Sequence, residues 1–113
     1  MNKDDLIRLH HMLDAAREAT SFAQNRNRSD LDSDRMLALS LLKLIEIIGE
    51  AAATVSKESR LQAPQIPWAS IVGMRNRLVH AYFDIDLDRV WDTVTADLPP
   101  LISELEQIIS SGN

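Results

Sequence analysis

Arg75, Asn76, Arg77, His80 and Tyr82 fall within eight consecutive residues and bring together a cation pair, an amide, an imidazole and a phenol. Histidine is the side chain whose unperturbed pKa, about 6.5, lets it take and give protons near neutrality. Arginine stays charged and presents a planar fork that matches phosphate oxygens. The two suffice for metal-free cleavage of RNA. His80 would move a proton at an oxygen, Arg75 would stabilise the crowded, anionic phosphorus centre, and the ribose 2′-hydroxyl would be the nucleophile. The expected product is a 2′,3′-cyclic phosphate. On an ideal helix Asn76 and His80 lie about 40° apart, whereas Arg75 and His80 lie about 140° apart. Arg75 and His80 therefore converge only through the reach of arginine, a loosened last turn, or a second copy of the chain. On spacing alone the simpler account is structural: Arg75 and Arg77 pair with the acids that follow Phe83, and His80 sits at a helix C-terminus.

The charge distribution frames this segment. The formal net charge is −5, which argues against a broad phosphate-binding surface. From Ser59 to Phe83, however, there is no Asp or Glu, and Arg60, Arg75 and Arg77 fall in that window. Asp84, Asp86, Asp88 and Asp92 follow at once. An anion is thus expected to be met locally, near Arg75 and Arg77.

The elements that must carry these residues read as helices. Leu6, Leu9, Leu13, Ala16 and Ala23 recur at helical spacing and predict a first helix over 3–24. A polar connection leads to Ser33, a candidate cap for a second helix over about 34–57. Its apolar stripe includes Leu37, Leu41, Leu44, Ile45, Ile48, Ala52 and Val55, widened by Ala38, Leu42 and Ala53. Such width predicts burial against more than one neighbour. Pro67 suits the first position of a third helix from Trp68 to His80. Asp86 is placed to cap a fourth bearing Leu87, Val90, Trp91 and Val94, which the Pro99-Pro100 pair must break or kink. A last helix buries Leu101, Leu105 and Ile108. No segment alternates with period two, so the expectation is one all-α domain over 1–113, a four- to five-helix bundle.

With no cysteine there is neither a disulfide framework nor a thiolate metal site. The polar, acidic start and the charges interrupting the apolar 36–55 stretch suit neither a secretion signal nor a bilayer span, so the expected location is cytoplasmic. The acids at 84, 86 and 88 read as helix-start residues, not metal ligands; no metal or cofactor is called for. Glu46 and Glu50 lie one turn apart and read as solvated, with Glu50 able to orient a motif side chain. His10 and His11 have no partner at ligand spacing and read as surface residues, and Trp68 and Trp91 read as core anchors.

Several of these segments together resemble the HEPN superfamily, in particular HepT-like toxins paired with minimal nucleotidyltransferase antitoxins. The likeness runs through Ile48-Gly49-Glu50-Ala51, Pro67-Trp68, Gly73-Met74-Arg75-Asn76-Arg77-Leu78-Val79-His80 with Tyr82, Ile85-Asp86, Val90-Trp91 and Asp97-Leu98-Pro99. It implies a helical homodimer that cuts RNA, tRNA by analogy, where two copies of the motif face each other. It assigns catalysis to Arg75 and His80, with Asn76, Arg77 and Glu50 in support. It also implies a partner antitoxin that transfers AMP from ATP to Tyr82, placing bulk and negative charge beside the motif. Without that likeness Tyr82 reads as closing a core edge. The alternative within the same superfamily is a non-catalytic module in which the motif binds a nucleotide or partner.

Overall fold

The structure is a computed structural model that describes residues 1–79 and 84–111. Helix α1 spans Lys3–Ala23. The Asn2 side chain accepts from the Asp5 amide at 2.8 Å, and Asp4 and Asp5 complement the positive end of the helix dipole. A one-turn helix α2, Asp30–Ser33, intervenes before the long α3, Arg35–Thr54. Asp34, and not the expected Ser33, caps α3 by accepting from the Leu37 amide at 3.0 Å. Ser33 is consumed as the last residue of α2. The long helix also stops before the expected residue 57, because Ser56 caps a separate helix α4, Lys57–Gln62.

Arg60 completes that stop. Its Nη2 donates to the Ala52 and Ala53 carbonyls at 2.9 and 3.2 Å, and its Nε to the Val55 carbonyl at 3.1 Å. The guanidinium thus adds donors to carbonyls at the end of α3, where helical partners run out, and it lies 5.7 Å from the Trp68 ring centre. One cation of the acid-free window is therefore committed to structure.

Helix α5 spans only Trp68–Val72, with Pro67 one position earlier than expected, as its cap. The predicted continuous helix from Trp68 to His80 does not form: α5 ends at Gly73 and a 3-10 turn, Arg75–Arg77, takes over. Trp68 is buried, its indole N–H donating to the Ala63 carbonyl at 3.0 Å. Beyond the turn, Val79 and Ile85 form an antiparallel bridge, and the Asp86 amide donates to the Leu78 carbonyl at 2.7 Å.

Asp86 caps α6, Leu87–Asp92, as expected, accepting from the Arg89 amide at 3.1 Å. Helix α6 runs through a π-helical segment, Thr93–Asp97, into α7, Leu98–Ser111. Pro99 and Pro100 lie in the first turn of α7, so the rod is not broken at them. They lack amides to donate and crowd the carbonyls of the preceding turn, and the widened π turn absorbs that conflict.

Three long rods, α1, α3 and the α6–α7 composite, make the frame, with α2, α4 and α5 as short connectors. The class is all-helical as read, with no strand among the described residues beyond the single bridge. Helix α3 packs against α1, α2, α5, α6 and the 3-10 turn, which accounts for its wide stripe. Leu9 and Met12 of α1, Leu41, Ile45 and Ile48 of α3, and Val90, Val94, Leu98 and Leu105 of the composite rod fill the centre. No helix among the described residues is long and apolar enough to cross a membrane.

Candidate functional site

The turn that carries the motif is held by its apolar members. Ile71, Met74 and Leu78 are buried, while Arg75, Asn76 and Arg77 between them are exposed. A 3-10 turn advances about 120° per residue, so the three polar side chains leave in three directions. The placement depends on Gly49. A Cβ there would lie 3.2 Å from the Ile71 carbonyl oxygen and 3.6 Å from that of Val72. A side chain there would push the end of α5 back by a few tenths of an ångström, so glycine permits the close approach to α3.

Arg75 points toward α3. Its Nε donates to Oε2 of Glu46 at 2.7 Å, and the side chains of Arg75 and Glu46 are 50% and 24% exposed. Lys43, one turn before Glu46, donates to the other carboxylate oxygen at 3.1 Å. The Arg75 guanidinium foremost, then the Lys43 ammonium, hold the Glu46 carboxyl below its ordinary pKa of 4.5, against the opposing effect of burial. Neither Nη of Arg75 bonds a described residue, and the Asn76 side chain likewise has no hydrogen bond to one.

Arg77 points elsewhere. Its Nη2 donates to the Ser70 carbonyl at 2.9 Å and the Ser70 hydroxyl at 3.2 Å. It lines a groove of about 340 Å³ between α5 and the start of α7, with Met74, Asp97 and Glu104 among the walls. The two arginines thus diverge, Arg75 toward α3 and Arg77 toward α5. They do not pair with the acids after Phe83 as the structural account required. Asp88 meets Arg28 at 2.6 Å, and Asp86 meets Arg89 at 3.3 Å.

Glu50 meets none of the described motif side chains. It is exposed and lines a hollow of about 320 Å³ with Arg8, His11 and Thr54, bonding no motif residue among those described. The carboxylate that meets the motif is Glu46, which by its sequence position reads as solvated. A signal for it exists: Glu46 lies one turn before Gly49 on the same face of α3, the face that the close approach of α5 marks. His10 and His11 are exposed, as read, and Trp91 is half-buried against the core. No group of three or more His, Asp or Glu among the described residues could hold a metal ion. His80 and Tyr82 lie outside the described residues.

With this geometry in place, the comparison with known proteins is decisive on kinship. The model of one family, described as ribonuclease HepT-like, matches residues 12–108. The chain belongs to the ribonuclease HepT-like family. Among its curated relatives is "Putative RNase MJ1380" of Methanocaldococcus jannaschii, 32% identical over 98 residues, covering 87% of this chain and 90% of that protein. "Putative RNase TTE0752" of Caldanaerobacter subterraneus is 30% identical over 101 residues, covering 89% and 90%. "Probable ribonuclease HepT" of Thermococcus cleftensis is 34% identical over 79 residues, covering 70% and 72%. No solved structure matches the chain. The HepT-like match runs from α1 through the motif turn into α7, so it takes in Glu46, Arg75 and the segment that follows.

Proposed function

We propose that the protein is a metal-independent endoribonuclease and the toxin half of a toxin and antitoxin pair. The observation that carries the reading is the ribonuclease HepT-like match running through Arg75 and His80, with Arg75 held at the surface and its terminal amines unbonded to any described residue. In the proposed reaction the substrate 2′-oxygen attacks phosphorus and the P–O5′ bond breaks. A 2′,3′-cyclic phosphate and a 5′-hydroxyl result. His80 moves the protons between those oxygens, and the Arg75 guanidinium meets the charge that builds on the phosphoryl oxygens. Two copies of the chain face each other across a twofold axis, so that each cleft holds paired motifs, and tRNA is the expected substrate class.

The proposed switch is transfer of AMP from ATP to the Tyr82 hydroxyl by a minimal nucleotidyltransferase antitoxin, with release of pyrophosphate. The added phosphate would repel an RNA phosphate from Arg75 and His80. The net charge of −5 and the carboxylate on Arg75 favour one other reading, a module that binds a nucleotide or partner without cleaving.

Purified protein, freed of any adenylyl group, is incubated with tRNA in EDTA. Cleavage to cyclic-phosphate ends, lost in His80→Ala, is the expected result. Equal inertness of wild type and His80→Ala would overturn it in favour of the binding module. Sedimentation should give twice 12.7 kDa, and a monomer at micromolar concentration would remove the shared cleft. Intact mass after incubation with antitoxin and ATP should show AMP additions absent from Tyr82→Phe.

A further inference from the structure

Arg75 is in contact with a group that the proposed reaction does not use. Glu46 takes one edge of the Arg75 guanidinium, the Nε, at 2.7 Å. An arginine bound through Nε has its plane fixed by that bond, and its terminal pair of amines is left as a fork suited to two oxygens of one phosphate. Both Nη atoms of Arg75 are in that condition with respect to the described residues. The carboxylate is itself oriented, since Lys43 holds its second oxygen at 3.1 Å. Lys43 also settles the charge. Two cations and one anion leave the trio with a net +1, so the pairing orients Arg75 without cancelling its attraction for a phosphodiester.

From this arrangement we infer that Glu46 is a positioning residue for RNA cleavage: it holds the Arg75 guanidinium with its terminal amines turned toward the scissile phosphate, and Lys43 holds Glu46. The inference rests on the assignment of Arg75 to the cleavage site. Its fixed support is geometric. Glu46 stands on α3, a long helix buried on several sides, whereas Arg75 stands on a three-residue turn. A side chain on so short a turn has several rotamers open to it, and the bond to a rigid helix selects one. The residue pair is 29 positions apart, so the link is tertiary and owes nothing to helical spacing.

The test compares Glu46→Ala with Glu46→Gln. Glutamine keeps an oxygen able to accept from Nε, while alanine removes it. Cleavage of a labelled RNA in EDTA is measured alongside thermal unfolding and the side-chain Nε–H signal of Arg75 in NMR. The expected result for Glu46→Ala is a fall in kcat of about tenfold to a hundredfold, the scale on which misplacing a reacting group by about 1 Å acts. KM should change little, the melting temperature should hold, and the Arg75 Nε–H should become mobile. Glu46→Gln should recover most of kcat and of the ordered signal.

Wild-type kcat in Glu46→Ala would overturn the inference, and so would a rise in kcat, which would make Glu46 a mask over Arg75. Equal loss in both variants together with a lowered melting temperature would also overturn it, as a structural effect. If wild type cuts no RNA, the nuclease reading fails by itself. The NMR comparison then still decides whether Glu46 orders Arg75, and a signal equally mobile in wild type and Glu46→Ala overturns that too.

Discussion

Asp5 and Glu46 are both carboxylates held below their ordinary pKa, but the two regions achieve it by different physics. Asp5 is buried, and its oxygens accept from the Ser56 amide at 3.1 Å, the Ser56 hydroxyl at 2.6 Å, the Ser59 hydroxyl and the Asn2 amide at 3.0 Å. Its low pKa comes foremost from the hydroxyls of Ser56 and Ser59, acting against burial. Every donor is neutral, and the result ties the start of α1 to the start of α4. Glu46 is partly exposed, and its donors are an arginine and a lysine. Surface ion pairs contribute little to stability, whereas a buried donor or acceptor stripped of its partner costs about 1–3 kcal/mol. The first carboxylate therefore belongs to the fold, and the second to the placement of a cation.

Substitutions should separate the two regions sharply. The largest effect is expected at the motif: Arg75→Ala and His80→Ala should each lower the RNA cleavage rate by about a thousandfold, within the range for a proton-transfer group or a charge-stabilising donor. Arg75→Ala should keep the wild-type urea midpoint, since its partner Glu46 can turn to water. Next comes Asp5→Ala, which should destabilise the chain by about 2 kcal/mol in urea unfolding while leaving the rate per folded molecule unchanged. A lower rate at full folding would erase the contrast between the regions.

A third test uses acid. The Asp5 pKa is lowered on folding from about 3.8, so its contribution is present above that unfolded value and is lost as pH falls through the lower folded value. Unfolding midpoints of wild type should thus decline below about pH 4 more steeply than those of Asp5→Asn, which has no proton to take up. Parallel curves would show that other carboxylates dominate. A small change in stability is expected for Gly49→Ala. Alanine favours the helix by about 1 kcal/mol, while its Cβ must push the Ile71 carbonyl back from 3.2 Å. The two oppose, so the urea midpoint should move by less than about 1 kcal/mol, yet cleavage should fall because α5 carries the Arg75 turn with it.

What the sequence revealed was local. The bounds of α1, the Asp86 cap, the buried Trp68 and the wide stripe of α3 all follow from residues within a turn or two of one another. The misses have a common origin in competition or distance. Ser33 and Asp34 are both good caps, and α2 decides between them by using Ser33. Ser56 starts α4 and so ends α3 early, a choice invisible to apolar spacing because Val55 continues the stripe. The helix expected through His80 stops at Gly73, where the chain passes from α5 into the tighter turn. Glu46 and Glu50 are alike to any periodicity argument. Only the crossing of α5 over Gly49, a contact between distant parts of the chain, selects Glu46 as the partner of Arg75. Likewise the divergence of Arg75 and Arg77 follows from a 3-10 turn where the sequence predicts α-helix.

The π-helical segment Thr93–Asp97 has the Leu98 amide donating back to the Thr93 carbonyl, five residues earlier. It therefore accommodates one residue more than an α-turn would. Deleting a residue there would restore the tighter winding and rotate everything downstream by about 100°. Leu101 and Leu105, both buried against the core, would swing out to water. This stretch is thus free to vary in the identity of its exposed residues, such as Thr95 and Ala96, but not in how many residues it has. A shortened descendant would have to rebuild the whole inner face of α7 to survive.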